Sequence, residues 1–441
     1  MNMPKTLSRR DLLVSTLFGA GYVGLRSVAT GLPVSVLLDP RRAFADGNVP
    51  CTPGSAQFVI LNTSGLGDPI NASVPGTYED PNIVHSPDPA MAPGPLTMNG
   101  QKFTAAAPWA TLPQTVLDRT CFFHIMTNTP VHPKEPDVLK LMHVAQPDEM
   151  FPSILGRQLA ACLGTIQPQP ITLGASSPSE GLTYSGQALP IIPALALKAT
   201  LTSPAGPLTD LQPLRDQTLA ELYDIYRGSA TKAQRDYIDS LVTSQTEVRS
   251  IEQGLLNQLG SITDNSPASQ VLAAITLIQM KVTPVVAVHI PFGGDNHRDV
   301  GLATETAQTI SGVATIASLM SQLASAGLRD KVTFLSLNVF GRTIGPGNTD
   351  GRQHNANHQV SIAIGKAFRG GVIGGVSPFG GDYGATSVDS KTGMVAEDGD
   401  VTAIDTLSAF GQTALVGAGI DPGVVATLIP SSKVITAALV S

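Results

Sequence analysis

The run Pro284-Val285-Val286-Ala287-Val288-His289-Ile290, leading into Phe292-Gly293-Gly294-Asp295-Asn296-His297, decides how the rest of the chain is read. Short, β-branched and apolar, and stopped by two glycines, it has the character of a strand buried on both faces. Residues 303–326 follow with a helical period that turns Ile310, Val313, Ala317 and Met320 inward, and Gly327 ends the helix. Residues 332–337 are again a compact apolar run. Strand, helix and strand make a β-α-β unit, for which the simplest connection is right-handed and parallel. Working outward, residues 57–61 predict a first strand that runs into Asn62-Thr63-Ser64-Gly65, with further strands at 121–126, 170–173 and 360–364. Residues 402–418 and 424–428 predict closing helices, and the Pro-, Gly-, Asn- and Ser-rich stretch 65–110 reads as a long loop. Between about 205 and 262, apolar stripes at helical spacing and a Thr231–Gln234 capping box predict a helical hairpin inserted into the α/β chain. The expected architecture is α/β: a central, mostly parallel sheet flanked by helices, forming one domain over residues 46–441 with that insertion.

The first 45 residues have a different character. Ser8-Arg9-Arg10-Asp11-Leu12-Leu13 opens an apolar run to about Gly24, and Ala43-Phe44-Ala45 offers a small-x-small cleavage pattern. The run is shorter than the roughly 20 apolar residues a bilayer span needs. The pattern predicts a twin-arginine signal peptide, recognised by the twin-arginine translocase. The mature protein is then expected in the periplasm, on the cell surface or outside the cell, without a stable membrane span. Cleavage removes six basic and two acidic side chains, which takes the net charge from −7 to −11. An acidic chain with no Lys/Arg cluster in its body is a poor partner for nucleic acid. Three cysteines allow at most one disulfide and no zinc ribbon.

In open parallel sheets, ligands bind where the loops leave the carboxyl ends of the strands. Four polar segments belong there: Asn62-Thr63-Ser64, Asp295-Asn296-His297, Asn338 to Thr343, and Asp350 to His358. Asp295 and His297, with His354, form a donor set suited to a divalent ion such as zinc or manganese. The same loop also suits a plainer role, with Asp295 capping the following helix and His297 solvated.

These segments resemble motifs of the exported bacterial proteins of domain-of-unknown-function family 1501, in the alkaline phosphatase and sulfatase superfamily. Gly293-Gly294-Asp295-Asn296-His297 is similar to that family's Gly-Gly-Trp-Asp-Thr-His loop. Phe340-Gly341-Arg342-Thr343 is similar to its Glu-Phe-Gly-Arg-Thr turn, and Gly351-Arg352-Gln353-His354 to its Gly-Arg-Asp-His segment. The strand and loop reaching His132 resemble an earlier family element. The resemblance spans roughly residues 57–425 and implies an alkaline-phosphatase-like fold. Two carboxylates of the family pattern are neutral here, at Val339 and Gln353, which argues against a two-metal site.

The resemblance implies a metal-assisted hydrolase of phosphate or sulfate esters acting on a small-molecule ester. Thr63 or Ser64 would stand at the nucleophile position and Arg342 would neutralise developing charge. Asn62, His132, Asn338, Gln353 and His358 would line the site. The alternative, favoured by the lost carboxylates, is an exported binding or assembly protein that keeps the fold with a decayed metal site and meets another exported protein.

Overall fold

The computed structural model describes residue 51, residues 54–141, 149–174, 181–202 and 258–440, and nine isolated positions between 217 and 235. The expected signal peptide lies outside the described residues, and so does nearly all of the expected helical hairpin.

Seven strands form one sheet: β1 (Phe58–Ser64), β2 (Thr120–Ile125), β3 (Ile171–Thr172), β4 (Val285–Val288), β5 (Val332–Asn338), β6 (Gln359–Ile364) and β7 (Gly371–Ile373). Their order across the sheet is β7-β2-β6-β5-β1-β4-β3. Every neighbouring pair is parallel except those made by β6, which runs antiparallel to both β2 and β5. The protein is therefore α/β with a mostly parallel sheet flanked by helices, consistent with an alkaline-phosphatase-like fold.

Alternation along β1 builds both cores. Phe58 and Ile60 face a cluster with Val271, Ile275 and Ile278 of helix α2 (Pro267–Gln279) and Val313, Ile316 and Leu319 of α3 (Ala303–Ser325). Val59 and Leu61 face the opposite cluster, with Ile154, Leu155 and Leu159 of α1 (Phe151–Leu163) and Leu407, Phe410 and Leu415 of α4 (Thr406–Gly417). The all-buried β1, β4 and β5 read as unbroken apolar runs because both faces are covered.

The strands of the β-α-β unit, β4 and β5, are parallel as expected, with β1 between them and paired to both. One expectation needs correction. The stretch 65–110 is not all loop, since Pro93–Met98 and Gln101–Ala106 form an antiparallel hairpin. Its two-residue turn, Asn99-Gly100, has φ of 47° and 78°, the left-handed pair that the tightest hairpins require. A disulfide joins Cys51 to Cys162 in α1, and Cys121 is buried in β2. Among the described residues no helix is long and apolar enough to cross a membrane.

Candidate metal centre

Topology brings the polar segments together. β1, β4, β5 and β2 point the same way, so their exit loops share one edge of the sheet. Because β6 is antiparallel, the chain that leaves β5 at that edge also starts β6 there, and the segment carrying His354 never has to leave it.

Backbone bonds stitch these loops to one another. Arg352 N donates to Asn296 O (3.0 Å), Asp299 N to Asp350 O (3.0 Å) and Asn128 N to Ala356 O (2.9 Å). Gly351, at φ 129°, lies so close to this seam that a Cβ there would fall 2.3 Å from His297 O. Beneath the seam Arg352 and Glu305 form a fully buried ion pair, with Nε to Oε2 at 2.6 Å and Nη2 to Oε1 at 3.0 Å. Arg352 also donates to Thr343 O and Val84 O, while Asn296 Nδ2 donates to Glu305 Oε2. This pair fixes both loops from below. The following helix is capped by Asp299, whose carboxylate accepts from Thr304 N and Glu305 N, so Asp295 has no capping duty.

At the surface of this frame His132, Asp295, His297 and His354 each offer one donor atom, all within 4.8 Å of one another. His297 Nε2 lies 2.8 Å from His354 Nε2 and 3.2 Å from Asp295 Oδ1, and His132 Nε2 lies 3.6 Å from Asp295 Oδ2. A tetrahedral ion with ligands at ~2.1 Å needs them ~3.4 Å apart, and these separations bracket that value.

The far side of each imidazole is tied down. His132 Nδ1 donates to Gly65 O (2.8 Å), His354 Nδ1 to Pro130 O, and His297 Nδ1 to Gln353 Oε1 (3.1 Å). A neutral imidazole carries one N–H, so a ring that donates through Nδ1 presents a lone pair at Nε2. Three lone pairs and a carboxylate thus face one point. This is the orienting pattern of metal-bound histidine, and it fits the ion that the donor set implies.

Arg342 governs Asp295. Its guanidinium is fully buried and donates to Gly67 O, Leu66 O and Asp295 Oδ1 (2.9 Å), and its Nη1 has no partner among the described residues. Burial by itself would raise the Asp295 carboxyl, but Arg342, with His132 and His297 beside it, outweighs that and holds it below the ordinary carboxylate range. Burial also lowers His354, and the neighbouring charge of Arg342 adds to the effect. An easily deprotonated carboxylate and a neutral imidazole are the protonation states a metal ligand needs.

The expected residues divide into three groups. Asp295, His297 and His354 converge, and His132 joins them as a fourth donor that its sequence context marked only as lining. Gln353 touches the cluster through His297. Thr63, Ser64 and Asn338 are buried at the ends of β1 and β5, where Ser64 and Asn338 pair in register. Ser64 Oγ donates to Asp68 Oδ1 (3.1 Å) and accepts from Leu66 N, while Thr63 Oγ1 has no partner among the described residues. Asn62 binds the backbone of Ile290, and His358 is buried against His124 and Asn71. Asp68 was not singled out by sequence; it is a buried carboxyl whose burial raises its pKa despite His289 and Arg342 nearby.

No protein-family model matches the chain, and no curated protein matches it.

Proposed function

We propose that His132, Asp295, His297 and His354 hold one divalent transition-metal ion, and that the chain is an exported, metal-assisted hydrolase of phosphate or sulfate esters. The observation that carries this reading is the anchoring of three Nδ1 atoms to oxygen, which leaves three Nε2 atoms aimed at one carboxylate. Three imidazoles and one carboxylate suit zinc better than a hard ion such as magnesium, with manganese the second choice. When bound, such an ion supplies a Lewis acid for an ester oxygen. The chain's own contribution is placement. Arg342 holds Oδ1 of Asp295 and so aims Oδ2 toward His132, and the buried Phe340 ring packs on His132 and His354 and keeps water from that side.

Export is supported by the paired arginines near the N-terminus and by the Cys51–Cys162 disulfide, since such bridges persist in oxidising compartments. A second reading, a non-catalytic exported binding or assembly protein, is favoured by the burial of both nucleophile candidates and by the commitment of Ser64 Oγ to Asp68.

One experiment separates the two. The purified mature protein is stripped with a chelator, reloaded with zinc or manganese, and assayed for bound metal and for hydrolysis of nitrophenyl phosphate and nitrophenyl sulfate. Hydrolysis lost on stripping and restored on reloading supports the hydrolase. Stoichiometric metal without turnover supports the binding protein, and failure to take up either ion removes the centre.

A further inference from the structure

Two of the three clustered imidazoles are anchored by backbone carbonyls, which can only accept a hydrogen bond: Gly65 O for His132 and Pro130 O for His354. His297 alone is anchored by a side chain, Gln353. An amide is two-faced. Turned one way it accepts through Oε1, and turned the other it donates through its NH2 group. With Oε1 presented, Nδ1 of His297 carries the proton and Nε2 keeps its lone pair. With the NH2 group presented, Nδ1 accepts and Nε2 carries the proton, which closes that ligand position.

We infer that Gln353 is a positioning residue that sets the tautomer of His297 and thereby the affinity of the site for its ion. This rests on the metal reading above. The geometry supports it in two further ways. The backbone of Gln353 is rigid, since its N donates to Thr343 Oγ1 (2.8 Å) and its O accepts from Thr343 N (2.9 Å). It stands between the buried Arg352 and the ligand His354, so its amide is delivered to His297 from a fixed platform. Its side chain is exposed and contributes little to the core.

No clustered imidazole has a carboxylate behind it, and the single carboxylate among the ligands is shared with Arg342. A carboxylate acceptor raises the basicity of the histidine it holds. Gln353→Glu therefore supplies an acceptor that cannot turn its donor face, whereas Gln353→Leu removes the acceptor at similar volume.

The test uses the mature protein and both variants in competition titrations of zinc against a chromophoric chelator, with the visible spectrum of the cobalt(II) form as a report on ligand geometry. Gln353→Leu is expected to weaken zinc binding about 10- to 100-fold, the range measured for loss of a histidine's outer partner, and to alter the cobalt bands. Gln353→Glu is expected to bind at least as tightly as the unaltered protein, and the metal-free variants should melt with it. Binding by Gln353→Leu within about twofold of the unaltered protein overturns the inference while leaving the centre standing. Equal weakening in Gln353→Glu overturns it too, because side-chain identity rather than acceptance would then be at work. If the unaltered protein binds neither ion, the centre itself fails, and the role of Gln353 with it.

Discussion

The molecule contains two histidine pairs with almost the same spacing, His297–His354 at the sheet edge (Nε2 to Nε2, 2.8 Å) and His124–His358 in the interior (Nδ1 to Nε2, 2.9 Å). What each pair does is decided by the nitrogens that do not touch. Inside, His124 Nε2 donates to Pro75 O and Asn71 Nδ2 donates to His358 Nδ1 (3.2 Å). That leaves one proton, on His358 Nε2, to fill the gap between the rings, and the pair is complete as two neutral imidazoles. Asn71 in turn clamps the backbone of Arg342 from both sides. At the edge, both Nδ1 atoms donate outward, so two lone pairs face each other and the gap calls for a cation. One pair is a finished hydrogen-bond chain, and the other belongs to a cluster that could hold a metal ion.

The comparison predicts a strong response to acid from the interior pair and a response to metal from the edge pair alone. Burial pushes His124 down to about 4 and His358 well below its ordinary value. Their folded pKa values lie below the unfolded value near 6.5, so their full contribution to stability is present above about pH 6.5 and is lost as the pH falls toward the folded value. Protonation of both rings in the unfolded chain should therefore cost the metal-free protein several kcal/mol between pH 7 and pH 5. Urea unfolding in chelator at the two pH values reads this, and a flat profile would mean that the interior pair is not held neutral.

The next effect in size is on the frame beneath the edge. Glu305→Ala leaves Arg352 buried and unpaired, with an expected loss of about 3–5 kcal/mol. Thermal melts should show it, and a loss below about 1 kcal/mol would mean the two loops are held by backbone bonds alone.

At the edge itself, His297→Ala should reduce zinc affinity by more than about 100-fold, beyond what an outer partner is worth. The stability of the metal-free chain should be unchanged, because the ring is a partly exposed loop-tip side chain. Equal metal content in this variant would turn the edge pair into a second hydrogen-bond chain and end the contrast. The smallest effect distinguishes the pairs directly. Zinc at about 100 times its dissociation constant should stabilise the protein by about 2.7 kcal/mol, and that gain should disappear in His297→Ala. Persistence of the gain in that variant would place the ion elsewhere.

Much of this was legible in the chain. Apolar runs gave the strands at 57–61, 284–290 and 332–337, and their exit loops identified Asp295, His297 and His354. The hairpin over residues 93–106 was also written locally, in Asn99-Gly100, but proline and glycine around it masked the signal. His132 was harder: one histidine in a proline-flanked loop has no local mark of a ligand, and it reaches the cluster only because β2 shares its direction with β1.

Sequence by itself determined the central strands, the helix between β4 and β5 and which loops carry chemistry, because periodicity and turn residues act over a few positions. Tertiary structure alone decided that β1 separates β4 from β5, that β6 runs backward and returns His354 to the edge, and which oxygen holds each Nδ1. Those outcomes depend on partners as far as 274 residues apart, as where Phe58 of β1 pairs with Val332 of β5. They follow from how the whole chain packs, and no window along the sequence contains them.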